Sequence, residues 1–274
     1  MTALWKVGCI VDSLKLGPIE GLRKAAEIGA EGIQVYVTHG EMFPDNCTAA
    51  KRKEFRKRTD DLGLTISALC GDFDWVRGFT DAEFNKVNIP RVKKCIDMAA
   101  DLGTPVVTMH IGHLPEDPKH AVYQEALRTS VELGDYAAAR GIVLCSETGP
   151  ERPAKLLDFL RAVGSKGIGV NYDPANLVMC GPFDHIGGVG ILKDYIRHTH
   201  AKDGVCLGPK AYKEVPLGQG GVVFPYYLAA LKAAGYTGFL TVERECGADP
   251  AGDVARAIKY LKELMATELP ELKK

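Results

Sequence analysis

The 274-residue chain carries almost no net charge: 34 Lys and Arg stand against 35 Asp and Glu, leaving −1 at pH 7. Without a basic excess there is no general attraction to phosphate backbones or anionic lipid, so neither nucleic acid nor membrane is expected as a partner. Long apolar runs are missing too; nowhere do the roughly 18 consecutive apolar residues of a membrane span occur. The eight cysteines, at 9, 47, 70, 95, 145, 180, 206 and 246, include no C-x-x-C pair, and several lie in apolar strand-like runs. That usage speaks against a disulfide framework and for small buried hydrophobes in a reducing compartment. Met1–Ser13 has no basic start followed by a long apolar stretch, so no signal peptide is expected and a cytoplasmic location is. No linker, charge block or low-complexity segment divides the chain, and no G-x-G-x-x-G follows the first apolar run. The fingerprint of a dinucleotide-binding open sheet is therefore absent.

What is present is a regular alternation. Short β-branched runs at Val7–Asp12, Gly32–Val37, Thr65–Leu69, Pro105–His110, Ile142–Ser146, Gly167–Tyr172, Ile196–His200 and Phe239–Val242 read as eight strands. Amphipathic patterns at Glu20–Ile28, Ala49–Leu62, Ile89–Leu102, Ala121–Arg140, Pro153–Val163, Pro225–Ala234 and Asp253–Met265 read as helices between them, with a further helix expected within Pro182–Tyr195. Gly63, Gly141 and Gly235 stand where helices should turn back toward the next strand. Strand–helix alternation implies a parallel sheet with right-handed crossovers, and eight even units favour closure. The expected fold is α/β, a (β/α)8 TIM barrel in which residues 1–274 form a single domain, with Glu268–Lys274 as a frayed tail.

In such a barrel chemistry sits at the C-terminal ends of the strands. Polar residues collect there from the fourth strand onward: His110-Ile111-Gly112-His113, Ser146-Glu147-Thr148-Gly149, Asn171-Tyr172-Asp173-Pro174-Ala175-Asn176, His198-Thr199-His200-Ala201-Lys202-Asp203 and Val242-Glu243-Arg244-Glu245. Singly, each has an ordinary explanation: a glutamate in a solvated loop, a satisfied core histidine, Asp-Pro as a turn opener. Together, carboxylate, carboxylate, imidazole and carboxylate from the last four strands would converge above the barrel and need a cation to neutralise them. A mixed oxygen and nitrogen donor set suits one divalent metal ion, Mn²⁺ first, with Co²⁺, Mg²⁺ or Zn²⁺ as alternatives.

The order Ser-Glu-Thr-Gly, Asn-Tyr-Asp-Pro-Ala-Asn, His-Ala-Lys-Asp and Val-Glu-Arg-Glu resembles the xylose isomerase-like TIM barrel superfamily, as do Val215–Gly220 and Ala230–Gly238. That group includes tagatose and psicose 3-epimerases, inosose dehydratase, hydroxypyruvate isomerase and endonuclease IV. The resemblance implies Glu147, Asp173, His200 and Glu243 as metal ligands, with Glu147 and Glu243 also as catalytic acid and base. It places His110 as a substrate contact and would point Lys202 into the pocket, although Lys202 also reads as a surface lysine paired with Asp203. Asn176 stands where epimerases typically carry histidine, and it can still bond a hydroxyl. No histidine follows position 200, which speaks against the three-zinc endonuclease. Gly218–Gly221 reads as a tight loop rather than a phosphate cradle, since no Lys, Ser or Thr signature adjoins it.

The family's chemistry is proton transfer through a metal-stabilised enediolate, and the proton's destination separates epimerase from isomerase. The implied function is a divalent-metal-dependent isomerase or epimerase of a sugar or keto-sugar. The alternative is a lyase or dehydratase on a keto-inositol or 3-keto-sugar, and a non-catalytic sugar- or partner-binding barrel is the rival from another class. The expected partner is a small polyhydroxy substrate, with Trp75, Phe73, Tyr36, His39 and Trp5 as candidates to stack on it; core or lid packing is the competing reading. The relatives' habits imply a homodimer or homotetramer.

Overall fold

The computed structural model describes residues 4–181, 183–209, 211–267 and 269–270. Its strands in chain order are β1 (Val7–Ile10), β2 (Gly32–Tyr36), β3 (Thr65–Cys70), β4 (Val106–Met109), β5 (Val143–Glu147), β6 (Ile168–Tyr172), β7 (Ile196–Ala201), β8 (Asp203–Gly208), β9 (Ala211–Val215) and β10 (Leu240–Val242). Among the described residues eight of these close a parallel barrel in the order β1-β10-β7-β6-β5-β4-β3-β2, while β8 and β9 pair separately as an antiparallel hairpin. The closed barrel and its eight strands agree with the alternation in the sequence.

The helices are α1 (Gly17–Glu27), α2 (Ala49–Asp61), α3 (Ala82–Leu102), α4 (Ala121–Ala138), α5 (Pro153–Val163), α6 (Pro174–Cys180), α7 (Gly187–Leu192), α8 (Phe224–Ala233) and α9 (Pro250–Met265). Their starts follow local chemistry: Thr48, Asp81, Asp173 and Asp249 each accept backbone N–H bonds in the first turn. Gly63, Gly141 and Gly235 turn the chain with φ of 70°, 69° and 72°, as expected.

One helix start and two elements differ from expectation. The helix expected from Ile89 begins at Ala82, because the Asp81 carboxylate caps the N–H groups of Glu83 and Phe84, and the helix tolerates Pro90 inside it. The helix expected within Pro182–Tyr195 is present as α7, with Pro182 itself outside the described residues, and a further short helix that was not expected, α6, starts directly on Asp173. Most of the expected tail, Glu268 and 271–274, lies outside them as well. The hairpin 203–215 was not anticipated.

Strand residues facing out pack under the helices, and buried aliphatic side chains from nearly every element form one core cluster. The barrel interior is different. Gln34 on β2 reaches Thr108 on β4 (2.8 Å) and His198 on β7 (3.0 Å), all buried, although neither strand neighbours β2. These contacts therefore cross the inside of the barrel. Five cysteines are buried and three exposed, and all eight are free thiols. Among the described residues no helix is long and apolar enough to cross a membrane.

The hairpin is anchored by a buried ion network. Arg244, just past β10, donates to Glu214 on β9 (2.6 Å) and to Asp253 on α9 (2.8 Å). Arg244→Met should remove the only side-chain cation bonded to Glu214 among the described residues and cost on the order of 3 kcal/mol, because a buried carboxylate is left uncompensated. Denaturant unfolding would show this as a lowered midpoint. A midpoint equal to that of the parent protein would mean that the network contributes nothing net.

Candidate metal centre

Glu147 is the last residue of β5, Asp173 follows β6, His200 lies one residue before the end of β7, and Glu243 follows β10. Each offers one ligand atom, these atoms lie within 4.8 Å of one another, and all four residues are buried. The four positions implied by the family resemblance are thus brought together at the C-terminal mouth of the barrel.

Each side chain is held by identifiable partners. Asp173 caps α6, its Oδ1 accepting from the N–H groups of Ala175 (2.7 Å) and Asn176 (3.3 Å). The Thr148 hydroxyl pins the Asp173 backbone by donating to its C=O and accepting from its N–H, both at 2.8 Å. Glu147 Oε2 accepts from Asn171 Nδ2 at 3.0 Å, and its Oε1 accepts from Asn176 Nδ2 at 2.8 Å. His200 Nδ1 lies 3.0 Å from Glu243 Oε2 and 3.5 Å from Glu147 Oε2, while its Nε2 faces Gln34 Oε1 at 2.9 Å.

Two oxygens stand out. Asp173 Oδ2 and Glu243 Oε2 are buried without a hydrogen-bond partner. Glu243 Oε2 is at ion-pair distance from His200 and from Lys202 Nζ (3.2 Å), but without hydrogen-bond alignment. A buried carboxylate oxygen with nothing to bond is costly. Two of them on one cluster, beside an imidazole nitrogen and a third carboxylate, fit a divalent cation.

The electrostatics agree. Burial, reinforced by Glu147 and Glu243 and opposed by Lys202 and His200, pushes Asp173 up to about 7. Burial would raise Glu243 as well, but Lys202 and His200 hold it well below the usual carboxylate range. For His200 and Lys202, burial opposes the charged form, and the surrounding carboxylates more than offset it, Glu243 foremost. His200 and Lys202 are thus the side-chain cations that offset the carboxylates.

Lys202 is buried and bonds Glu245 Oε2 at 2.7 Å, which overturns its reading as a surface lysine paired with Asp203. Asp203 does something else. Its two carboxylate oxygens accept the N–H groups of Gly204, Gly218, Gly220 and Val222. The N–H groups of Gly218 and Gly220 are thereby engaged, and the tight-loop reading of Gly218–Gly221 stands. His110 sits at the mouth, its Nδ1 on Asp72 Oδ2 at 2.5 Å and its Nε2 3.8 Å from Glu147 Oε1. Burial opposes its protonation, yet Glu147 and Asp72 raise it to about 9. The loop carrying it is fixed by close backbone approach: a Cβ on Gly112 would lie 2.5 Å from the Arg77 carbonyl oxygen. Asn176, expected against a substrate hydroxyl, here donates to Glu147 Oε1 and to the Thr148 carbonyl.

The aromatic candidates divide. Trp75 is 57% exposed with its ring 6.4 Å from that of His113. Phe73 and His39 line a cavity of about 290 Å³ with Thr38, Phe43 and Arg91. Trp5 is buried and donates to the Tyr236 carbonyl at 2.7 Å, at the opposite, N-terminal end of the barrel; the expectation that it could stack on substrate is wrong. Gln34 and Asp72 were missed, and Asn171 appears in its strand-end motif without a role. Gln34 has a signal as a lone polar residue in the otherwise apolar strand Gly32–Tyr36.

The family model for the xylose isomerase-like TIM barrel matches residues 22–264, and the chain belongs to that family. A xylose isomerase domain protein from Planctomyces limnophilus has a structure with a TM-score of 0.85 and 30% identity, covering 95% of this chain and 97% of that one. A xylose isomerase-like TIM barrel protein from Mycobacterium smegmatis in complex with magnesium gives a TM-score of 0.76 at 22% identity, over 97% and 98% of the two chains. By sequence, L-ribulose-5-phosphate 3-epimerase UlaE from Salmonella paratyphi C is 23% identical over 91% of this chain and 90% of its own.

Proposed function

We propose that this chain is a divalent-metal-dependent isomerase or epimerase of a small sugar or keto-sugar, with Glu147, Asp173, His200 and Glu243 as the ligands. The observation that carries the reading is the buried four-residue cluster with the unbonded oxygens of Asp173 and Glu243. A magnesium-bound structural neighbour and an epimerase relative support it. Mn²⁺ is the preferred ion for this oxygen-rich set with one imidazole. The metal, when bound, supplies Lewis acidity toward adjacent carbonyl and hydroxyl oxygens and so acidifies the C–H between them.

The protein's own groups then move the proton. Glu147 and Glu243 rise from strands three steps apart around the ring. One, as the carboxylate, takes the proton from carbon, and the other, already protonated, donates its own proton to the opposite face of that carbon, which is epimerisation. Delivery to the neighbouring carbon, with a hydroxyl proton shuttled between the two oxygens, is isomerisation. His110, whose Nδ1 bonds Asp72, would hold a substrate oxygen through its other nitrogen. Engagement of the Gly218 and Gly220 N–H groups by Asp203 favours an unphosphorylated substrate.

The test is calorimetric and chemical. One Mn²⁺ per chain is expected to bind, to be removed by chelation, and to be required for turnover of a keto-sugar. Failure to bind any divalent ion would overturn the reading. A second reading, loss of a β-hydroxyl as water, is favoured by the buried ammonium of Lys202 at 3.2 Å from Glu243, which could protonate the leaving oxygen. Proton NMR of products in D₂O separates the two: solvent deuterium at a retained carbon marks the isomerase or epimerase, and a dehydrated product marks the lyase.

A further inference from the structure

Metal ligation by histidine depends on which ring nitrogen carries the proton, and that is set by the partner of the other nitrogen. In His200, Nδ1 faces Glu243 and Glu147, so Nδ1 is the atom aimed at the ligand cluster. The opposite nitrogen, Nε2, meets Gln34 Oε1 at 2.9 Å. Asn171 Nδ2 lies 3.3 Å from Nδ1 and 3.2 Å from Nε2, so it does not discriminate between them. Gln34 contacts Nε2 and not Nδ1.

The amide is itself fixed. Its Nε2 bonds the Thr108 hydroxyl at 2.8 Å, and its Oε1 also faces His198 Nε2 at 3.0 Å. A carbonyl oxygen has two lone pairs, so one Gln34 Oε1 can accept from both imidazole N–H groups. Gln34 is fully buried, so no water competes for either bond.

We propose that Gln34 is a positioning residue of the centre: its carbonyl oxygen holds the proton of His200 on Nε2, so that Nδ1 presents its lone pair to the metal. The inference rests on the metal-site reading above. Gln34 lies on β2, across the barrel from the ligand it serves, and touches none of the three carboxylates through a hydrogen bond among those described.

Two substitutions separate this role from simple packing. Gln34→Met fills nearly the same volume but removes the acceptor. Gln34→Glu keeps an acceptor at the same place while adding a buried charge. If the oxygen orients His200, Mn²⁺ affinity measured by calorimetry should fall about 10- to 100-fold in Gln34→Met and recover most of that loss in Gln34→Glu. A packing role predicts the reverse order, with Met near the parent value and Glu the worse of the two.

A third measurement needs no substitution. In the Zn²⁺-loaded parent protein, ¹⁵N-detected ring spectra should place the proton on Nε2 of both His198 and His200. A proton on Nδ1 of His200, or Gln34→Met binding Mn²⁺ as tightly as the parent, overturns the inference alone. No Mn²⁺ uptake by the parent chain overturns the metal site and this inference with it.

Discussion

Glu243→Gln is expected to lower turnover by on the order of 10²-fold or more while the barrel stays folded, the usual contribution of a positioned acid or base. Glutamine keeps the shape and an oxygen that can still face the cluster, so the loss should fall on kcat rather than on folding. Lys202 keeps its 2.7 Å bond to Glu245, so removing the Glu243 charge does not strand the ammonium. Glu147→Gln should be more damaging to metal binding. Both oxygens of Glu147 accept from amide donors, Asn171 Nδ2 and Asn176 Nδ2, so an amide at that position must set one NH₂ against another. Glu147→Gln should therefore lose metal affinity as well as turnover, and Glu243→Gln mainly turnover. Metal content and kcat measured on the same samples separate the two effects. With stepwise transfer, the variant that still exchanges substrate hydrogen with D₂O without forming product retains the first base. If both variants keep metal and near-parental kcat, the proton is carried by another group, with His110 and Lys202 next in line.

The legibility of these features in the sequence follows their range along the chain. Strand–helix alternation and the strand-end motifs are local, so the barrel and the four clustered residues are legible in the order of amino acids alone. Asp173 shows why: a single Asp-Pro both caps α6 and sends a second oxygen into the cluster. What was not legible depended on register or on contacts across the barrel. Lys202 and Asp203 are adjacent and of opposite charge, so a surface pair was a fair reading. Lys202 lies between the end of β7 and the start of β8 at Asp203, and the two side chains part there. One turns to Glu243 and Glu245, the other to the glycine loop. Trp5 failed for a similar reason, since proximity to the first strand does not say which end of the barrel an aromatic occupies. The hairpin 203–215 leaves a signal in Gly208-Pro209, a turn dipeptide between two short runs. Gln34 is the clearest limit. Its partners lie 74, 164 and 166 residues away, and nothing in Gly32–Tyr36 alone points to them.

Asp173→Asn is expected to abolish high-affinity metal binding and, at the same time, to stabilise the metal-free protein. Asparagine caps a helix about as well as aspartate, so the bonds to the Ala175 and Asn176 N–H groups survive, and Thr148 continues to pin the backbone. Asp173→Ala would be a poorer probe, since it also removes the cap, typically worth about 1 kcal/mol. What Asn removes is the charge on a carboxyl that burial and two neighbouring glutamates disfavour, together with the unbonded oxygen Oδ2. Relief of that penalty should raise the metal-free melting temperature by a few degrees, the direction expected when a binding group held for function is neutralised. The parent protein should instead gain stability on adding Mn²⁺, by about 2.7 kcal/mol at a free concentration 100 times the Kd. Paired melting curves with and without Mn²⁺ therefore distinguish the two proteins: a low start and a large shift for the parent, a higher start and no shift for Asp173→Asn. A variant that keeps the full Mn²⁺ shift would show that Asp173 is not a ligand, and one that melts lower than the parent without metal would show that its carboxylate charge carries no penalty in the metal-free protein.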